Sequence, residues 1–448
     1  MLKLKEEKDP VKILLPSLAS LVLYIAIAYF LEREEFVKLF IGYTLLFIAY
    51  ISLYRFASDK QVMWLIYIGI IFRLSLFLAL PNLSDDFYRF IWDGRLFIQG
   101  IHPFSQVPDY YKHIGFNIPG ITEELYYQLN SPEYFTIYPP VCQFIFAIAA
   151  FLSPESILGS VIIMRIFIIG AEAGTLFLLL EMLKKWNLPV KKSLLYALNP
   201  LVILELTGNL HFEAILIFFL LYSIYFIYQT KLTASAANLS LAISTKVLPL
   251  IFLPLFIRRL GWRKTLIYFS LIALFSLILF VPLLSWELIV GFSSSIALYF
   301  HTFEYNASIY YVIRALGFLI FGFNIIGAAG VILAVSIFIL IIFYSLDKST
   351  LEVPLYEAFM WVLLIYYLFT TTLHPWYITP LIALSIFTNF KFTILWSYFI
   401  FLTYINYALP EFQENLFVVA IEYLAVLGFL IYEFKKEKRS FFLKNIRF

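Results

Sequence analysis

One cysteine, Cys142, stands in 448 residues, which excludes an internal disulfide and any cysteine-based metal site. Charge is scarce as well: 14% of the chain is Asp, Glu, Lys or Arg, against about 25% in soluble domains. A net charge of +3 marks no anionic partner, and no nucleic-acid motif is present. There is no internal repeat, no low-complexity tract, and none of the ten-residue alternation that a membrane β-barrel requires. The first apolar run follows Lys3, Lys5, Lys8 and Lys12 without a small-x-small cleavage site, so it reads as a retained anchor.

What fills the chain is apolar side chain, 62% of the residues, where soluble proteins carry about 45–50%. That excess can be hidden only in lipid. The apolar runs are mostly about 17–25 residues long, the length that crosses a hydrocarbon core of about 30 Å as a helix. Candidate membrane segments are 13–31, 36–54, 62–80, 141–152, 157–183, 194–206, 214–228, 232–257, 265–284, 323–344, 356–372, 377–390, 392–409 and 416–434. The fold expected is all-α: one polytopic transmembrane bundle over 1–448, with about 12–14 membrane segments. Segment 232–257 is expected to be broken, with Lys246 at its apex.

Basic clusters at the N-terminus, Arg55 and Lys60, 184–192, 258–264 and the 435–448 tail orient the segments with both termini cytoplasmic. The chain then emerges outside at Pro81 and leaves a large outer loop, 84–138, and a second one, 285–322. One conflict arises. Segments 141–152 and 157–183 as two crossings would put 184–192 outside, so the shorter is expected to be re-entrant or interfacial. All five histidines, at 102, 113, 211, 301 and 374, fall in or beside outer stretches, which points to one outward-facing site in a cell-membrane protein.

The first loop opens with Ser84-Asp85-Asp86-Phe87-Tyr88-Arg89 and runs through Trp92-Asp93-Gly94-Arg95 to Gly100. Ser84 is a good N-cap, and a helix from Asp85 to about Ile98 would be interfacial, with Phe87, Phe90, Ile91, Phe97 and Ile98 on the membrane surface. Asp85 and Asp86 either cap this helix and pair with Arg89, or carry chemistry. Arg95 either binds an anion or snorkels. Lys246 lies in an apolar run, where a charge costs about 2.5–3.5 kcal/mol; its anion is a ligand phosphate, or Glu205 or Glu213. Trp376 and Tyr377 serve a ligand or an interfacial belt equally well. His211 and Glu213 are two apart and share no helical face, so only an irregular turn would bring both to one site. Arg165 and Glu172, seven apart on one face, read as a structural pair. His301, Glu304, Asn306 and Arg314 lie in the second loop and are unranked candidates for acceptor contact.

The Asp85-Asp86 pair after a span, the following Tyr-Arg helix, Gly100 and the Tyr138-Pro139-Pro140 return resemble the GT-C superfamily of membrane glycosyltransferases. The pattern Asp-Asp-x-Tyr-Arg-x-x-Trp-Asp-Gly-Arg is similar to the loops of prokaryotic polyprenyl-phosphate-mannose-dependent mannosyltransferases. Gly208-Asn209-x-His211-x-Glu213, Lys246-x-x-Pro249 and His374-Pro375-Trp376-Tyr377 also resemble motifs of that group. Two departures stand out: the loop follows the third span here and the first in relatives, and Glu213 stands where relatives often have Asp.

The resemblance implies transfer of a hexose, mannose by analogy, from a polyprenyl phosphate to an acceptor hydroxyl, with inversion. Asp85 is the implied general base and Asp86 the second choice; Arg89, Asp93, Arg95, Tyr138, His211, Glu213, Lys246, His374, Trp376 and Tyr377 are the implied substrate-binding residues. A solvated aspartate is ionised at neutral pH, and a carboxylate base contributes about 10²–10⁴-fold. No cofactor is implied; a divalent metal on Asp85, Asp86 and His211 is the minor alternative. The acceptor (glycan, lipid or protein) is left open. The rival functional class is a transporter or lipid-linked-sugar flippase, which would place ionisable residues near the bilayer midplane and show repeats. A non-catalytic scaffold leaves the crowded loop charges without a purpose.

Overall fold

The computed structural model describes residues 11–409 and 413–445, with backbone alone at 296, 299, 300 and 438–445. The N-terminal Lys3, Lys5 and Lys8, the start of the 410–415 stretch and the end of the 435–448 tail lie outside the described residues. Three quarters of the chain is helical, there is no strand among the described residues, and the protein is an all-α polytopic bundle. Lipid offers no partner to a backbone N–H or C=O, so helices, which satisfy both internally, are the solution open to this composition.

In chain order the helices are α1 (Val11–Phe30), α2 (Phe36–Phe56), α3 (Val62–Ser75), α4 (Asp86–Ile98), the short loop helices α5 (Pro108–His113) and α6 (Glu123–Tyr127), α7 (Pro140–Leu152), α8 (Ile157–Lys185), the short α9 (Leu194–Ala197) and α10 (Pro200–Val202), and α11 (Glu213–Tyr228). There follow α12 (Leu232–Ile243), α13 (Pro254–Leu260), α14 (Trp262–Phe280), α15 (Trp286–His301), α16 (Ile309–Phe321), α17 (Ile326–Leu346), α18 (Leu355–Phe369), α19 (Thr379–Ser385), α20 (Phe392–Phe399) and α21 (Leu416–Asn445).

Among the described residues six helices are long and apolar enough to cross a membrane, or seven counting the pair 200–208 and 213–228, which meets at 114°. Four apolar helices are shorter: α7, α12, α16 and α18. Several of the expected segments are therefore broken or short. Segment 232–257 breaks after Ile243 and resumes as a 3₁₀ turn at Leu248–Phe252, leaving Lys246 in the gap. α7, with 13 residues, rises only about 20 Å, short of the hydrocarbon thickness of about 30 Å.

α4 occupies the expected stretch, but three of the five residues expected on the membrane surface are buried in protein, while Phe97 and Ile98 stay partly exposed. Phe87, Phe90 and Ile91 are each 1% exposed, and Phe90 stacks on Phe146 of α7 with centroids 4.7 Å apart. The Phe87, Phe90 and Ile91 part of the face that reads as membrane-facing is covered by protein, because α7 lies directly against it. Gly94 permits this approach: a Cβ there would sit 2.2 Å from the Phe146 carbonyl oxygen. Gly94→Ala should therefore separate α4 from α7 and cost about 1–3 kcal/mol, seen as a lowered unfolding temperature of the purified protein. An unchanged melting curve would show that the two helices part without strain.

Two buried arginines tie the frame together. Arg73 and Glu172, both fully buried, form an ion pair at 2.7 Å; the Tyr196 hydroxyl donates to the same carboxylate and Arg73 also donates to the carbonyls of Gly69 and Ala197. Arg165 does not pair with Glu172 as its spacing suggests. Its guanidinium donates to the carbonyls of Phe77, Ala79, Thr207 and Gly208. Seven residues along a helix are about 10 Å of rise, so each charge finds a nearer partner on a neighbouring element. Arg165 thereby clamps the segment leading to Asp85 against the segment leading to His211.

Candidate active site

The clamped segments open into one cavity of about 570 Å³. Asp85, Asp86 and Arg89 line it from the start of α4, Tyr138 from the end of the first loop, and His211 and Glu213 from the bend before α11. Lys246 reaches it from the broken 232–257 segment, and His374, Trp376 and Tyr377 from the turn after α18. The bend is what lets His211 and Glu213 share the site. A π-helical stretch, Ile203–Gly208, ends there, and Leu210 adopts φ 61°, a left-handed conformation uncommon outside glycine.

Asp85, rather than Ser84, is the N-cap residue of α4, and its side chain caps nothing. The carboxylate is paired instead with Arg33 at 2.6 Å, and the Arg33 guanidinium lies over the Tyr407 ring at 4.9 Å. Asp86 accepts a hydrogen bond from Asn130 Nδ2 at 2.9 Å. Neither aspartate pairs with Arg89, which donates to Asp93 at 2.9 Å and to the Tyr134 carbonyl at 2.9 Å.

Asp93 and Arg95 do not line the cavity. Asp93 is fully buried and accepts from Arg89, Thr136 and Gln143, which pins the end of the first loop to α4 and α7. Arg95 is also buried, so it does not snorkel. It donates to the carbonyls of Gly120 at 2.8 Å and Glu155 at 3.0 Å, tying the middle of the loop to the turn between α7 and α8. Both hold the loop in place and are removed from direct contact with a cavity ligand.

The opposite wall is aromatic. His211 stacks on Trp376 at 3.7 Å, Trp376 on His374 at 4.5 Å, and His374 on Tyr305 at 4.6 Å. Tyr305 is held in register by an isolated bridge to Thr372, with its N–H donating to Thr371 and its carbonyl accepting from Leu373. His211 Nε2 lies 3.5 Å from Glu205, and Glu205 accepts from Tyr404 and Asn209. Burial first, then the charge of Lys246 and of His211, pull the His374 pKa down to about 3, so its ring is neutral at physiological pH. Lys246 forms an ion pair with Glu213 and sits over the Tyr377 ring at 4.3 Å. Of the anions open to Lys246, Glu213 is the one in contact.

Arg33, Asn130, Tyr305, Tyr404 and Tyr407 also line the cavity, and sequence reasoning did not assign them to the site; Glu304, expected only as one of four unranked acceptor contacts in the second loop, lines it too. Arg33 had a readable signal, because the α1–α2 link falls on the same side as the first loop in any alternating count. Arg314 pairs with Glu304, whereas His301 is exposed. Among the described residues no cluster of three or more His, Cys, Asp or Glu is arranged to hold a metal ion.

A cavity that joins paired carboxylates, cations and stacked aromatics inside a helical membrane bundle suits a carbohydrate-processing membrane enzyme. The chain belongs to the MptA_B family, described as alpha-(1->6)-mannopyranosyltransferase, N-terminal domain, whose model matches residues 19–260. It is thus a GT-C-type mannosyltransferase family member and a multi-pass membrane protein. No curated protein and no solved structure matches the chain.

Proposed function

We propose that the protein transfers a mannosyl group from a polyprenyl-phosphate donor to an acceptor hydroxyl on the extracytoplasmic face, with Asp85 as general base. The observation that carries this reading is the convergence of Asp85 and Asp86 with Lys246, His374 and Trp376 on one cavity. The acceptor oxygen attacks the anomeric carbon and its proton passes to Asp85. The bond from that carbon to the phosphate oxygen breaks, and the electron pair leaves with polyprenyl phosphate, inverting the centre. The leaving phosphate is a weak base, so no paired acid of the glycosidase kind is needed. Lys246 exchanges Glu213 for the donor phosphate, and Arg33 adds a second positive charge at the cavity wall. Neutral His374 contributes a hydrogen-bonding ring and no charge. The Trp376 face packs against the sugar. The direct test is incubation of the purified protein with polyprenyl-phosphate mannose and candidate acceptors; transfer is expected, and release of free mannose alone would reject the transferase reading.

Trp376→Ala removes the middle ring of the aromatic wall. An aromatic contact is worth about 0.5–1.5 kcal/mol beyond its area, so kcat/KM should fall by roughly tenfold. A variant with wild-type kcat/KM would leave Trp376 as packing only.

The side of the membrane follows from the basic clusters on the helix ends remote from the cavity. A cysteine placed at Gln106 should react with a reagent confined to the outside, and one at Asp347 should not. The reverse pattern inverts the topology and the face on which transfer occurs.

A further inference from the structure

A second cavity lies at the other end of the bundle. α2 runs from the Arg33 link to Phe56, about 31 Å for its 21 residues, and Tyr54 near its far end lines a cavity of about 500 Å³. The turn before α9 contributes Lys192, the link between α19 and α20 contributes Lys391, and α21 contributes Lys436. None of these residues belongs to the mannosyl-transfer site.

The charges in this cavity are unevenly satisfied. Glu433 accepts the backbone N–H groups of Lys391 and Phe392 at 2.9 to 3.0 Å, so it caps the start of α20. Glu437 accepts from Asn389 at 3.4 Å. Neither acid is within ion-pair distance of a lysine, and Lys192, Lys391 and Lys436 have no carboxylate partner among the described residues. The half-buried Lys192 ammonium has one hydrogen-bond partner, the Thr388 carbonyl at 2.5 Å, and burial together with the neighbouring Lys391 charge lowers its pKa. Lys192 and Lys391 are thus held near each other, and the carboxylate whose charge reaches Lys391, that of Glu433, is already engaged by two backbone N–H groups. Ser385, Thr388 and Asn389 add polar groups, and the apolar part of the wall is Leu195, Phe390 and Phe429, with Tyr432, which is 57% exposed.

Three lysines beside aromatic and aliphatic side chains, one of those side chains largely exposed, fit a molecule with a phosphate head and hydrocarbon tails. Basic pockets between membrane helices hold anionic lipid head groups in this manner. We infer that the cavity bounded by Lys192, Lys391 and Lys436 is a binding site for the phosphodiester head group of an anionic phospholipid, on the face opposite the mannosyl-transfer cavity. The bound lipid would bridge α2, the α8–α9 link, the α19–α20 link and α21, and so fasten the C-terminal helix to the family domain.

The test uses the full-length protein in nanodiscs of phosphatidylcholine containing about one fifth phosphatidylglycerol. Lipid that co-purifies after transfer to mild detergent is counted by native mass spectrometry. The wild type should retain phosphatidylglycerol in preference to phosphatidylcholine. Each lysine near a lipid head group is worth about fivefold in affinity, so Lys391→Gln should lower retention by about fivefold and Lys192→Gln with Lys391→Gln by more. Lys391 is exposed, so its replacement leaves the fold intact, which an unchanged gel-filtration profile verifies. Lys184→Gln with Lys185→Gln, basic residues on the same face outside the cavity, should leave retention unchanged. Equal loss in that control would assign the effect to diffuse surface charge and overturn the site. Protection of Lys192 from amine labelling by inorganic phosphate as strong as by phosphatidylglycerol would overturn the lipid and leave a free-anion site. Equal retention by wild type and the double variant would overturn both.

Discussion

Asp85→Asn should abolish mannosyl transfer while the protein still inserts and folds. Asparagine keeps the size of the side chain and can still accept a hydrogen bond from Arg33, but it cannot take the acceptor proton. Loss of a positioned base costs about 10²–10⁴-fold. The expectation rests on the geometry of the α4 start: Asp85 faces the cavity, makes no capping bond and is held by Arg33 at 2.6 Å. Asp86, held by Asn130, lines the same cavity, so Asp86→Asn is the internal comparison and should retain more activity. Rates would be measured on purified protein with polyprenyl-phosphate mannose. Full transfer by Asp85→Asn removes Asp85 as the base; if Asp86→Asn is then the inactive variant, the role passes to its neighbour.

The largest expected effect on stability is at Glu172. Its carboxylate and the Arg73 guanidinium are both fully buried, and desolvating two ions is repaid only while they remain together. Glu172→Ala strands the guanidinium and also deprives Tyr196 of its acceptor, so a loss of about 3–5 kcal/mol is expected. Replacing both partners, Arg73→Met with Glu172→Leu, should recover much of that loss, since a buried pair is often no more stable than an apolar one of similar volume. Thermal unfolding of the purified variants measures both. If the single and double variants melt together at the wild-type temperature, the pair does not hold the frame.

Much of the site could be read from the chain because its information is local. The Asp85–Arg95 pattern sits on one helix, Lys246 interrupts an apolar run, and His374-Pro375-Trp376-Tyr377 is contiguous. The orientation of each side chain was less accessible. Asp93 and Arg95 lie on the same helix as Asp85, yet they face Gln143 and the Gly120 and Glu155 carbonyls, because α7 and the middle of the first loop cover that side of α4. Phe87, Phe90 and Ile91 read as lipid-facing for the same reason: an apolar face fits lipid and protein equally well, and periodicity does not tell them apart. Arg165 and Glu172 share a helical face, but a sequence holds no record of which foreign carbonyl or guanidinium comes closer.

The sequence by itself determined the solvent and the element type. With 62% apolar side chain and no water to satisfy the backbone, the chain had to form a bundle of membrane helices, and the resemblance of its motifs to GT-C mannosyltransferases agrees with the family matched over residues 19–260. Tertiary structure alone decided the partnerships: Asp85 with Arg33, Lys246 with Glu213, Arg73 with Glu172, and the His211–Trp376–His374–Tyr305 column. The first loop, 84–138, is consequently one wall of a cavity whose other walls come from several distant segments. The physical reason is range. Burial and backbone satisfaction act on each segment separately, whereas an ion pair or a ring stack depends on contacts of a few ångströms, fixed only once distant helices have packed.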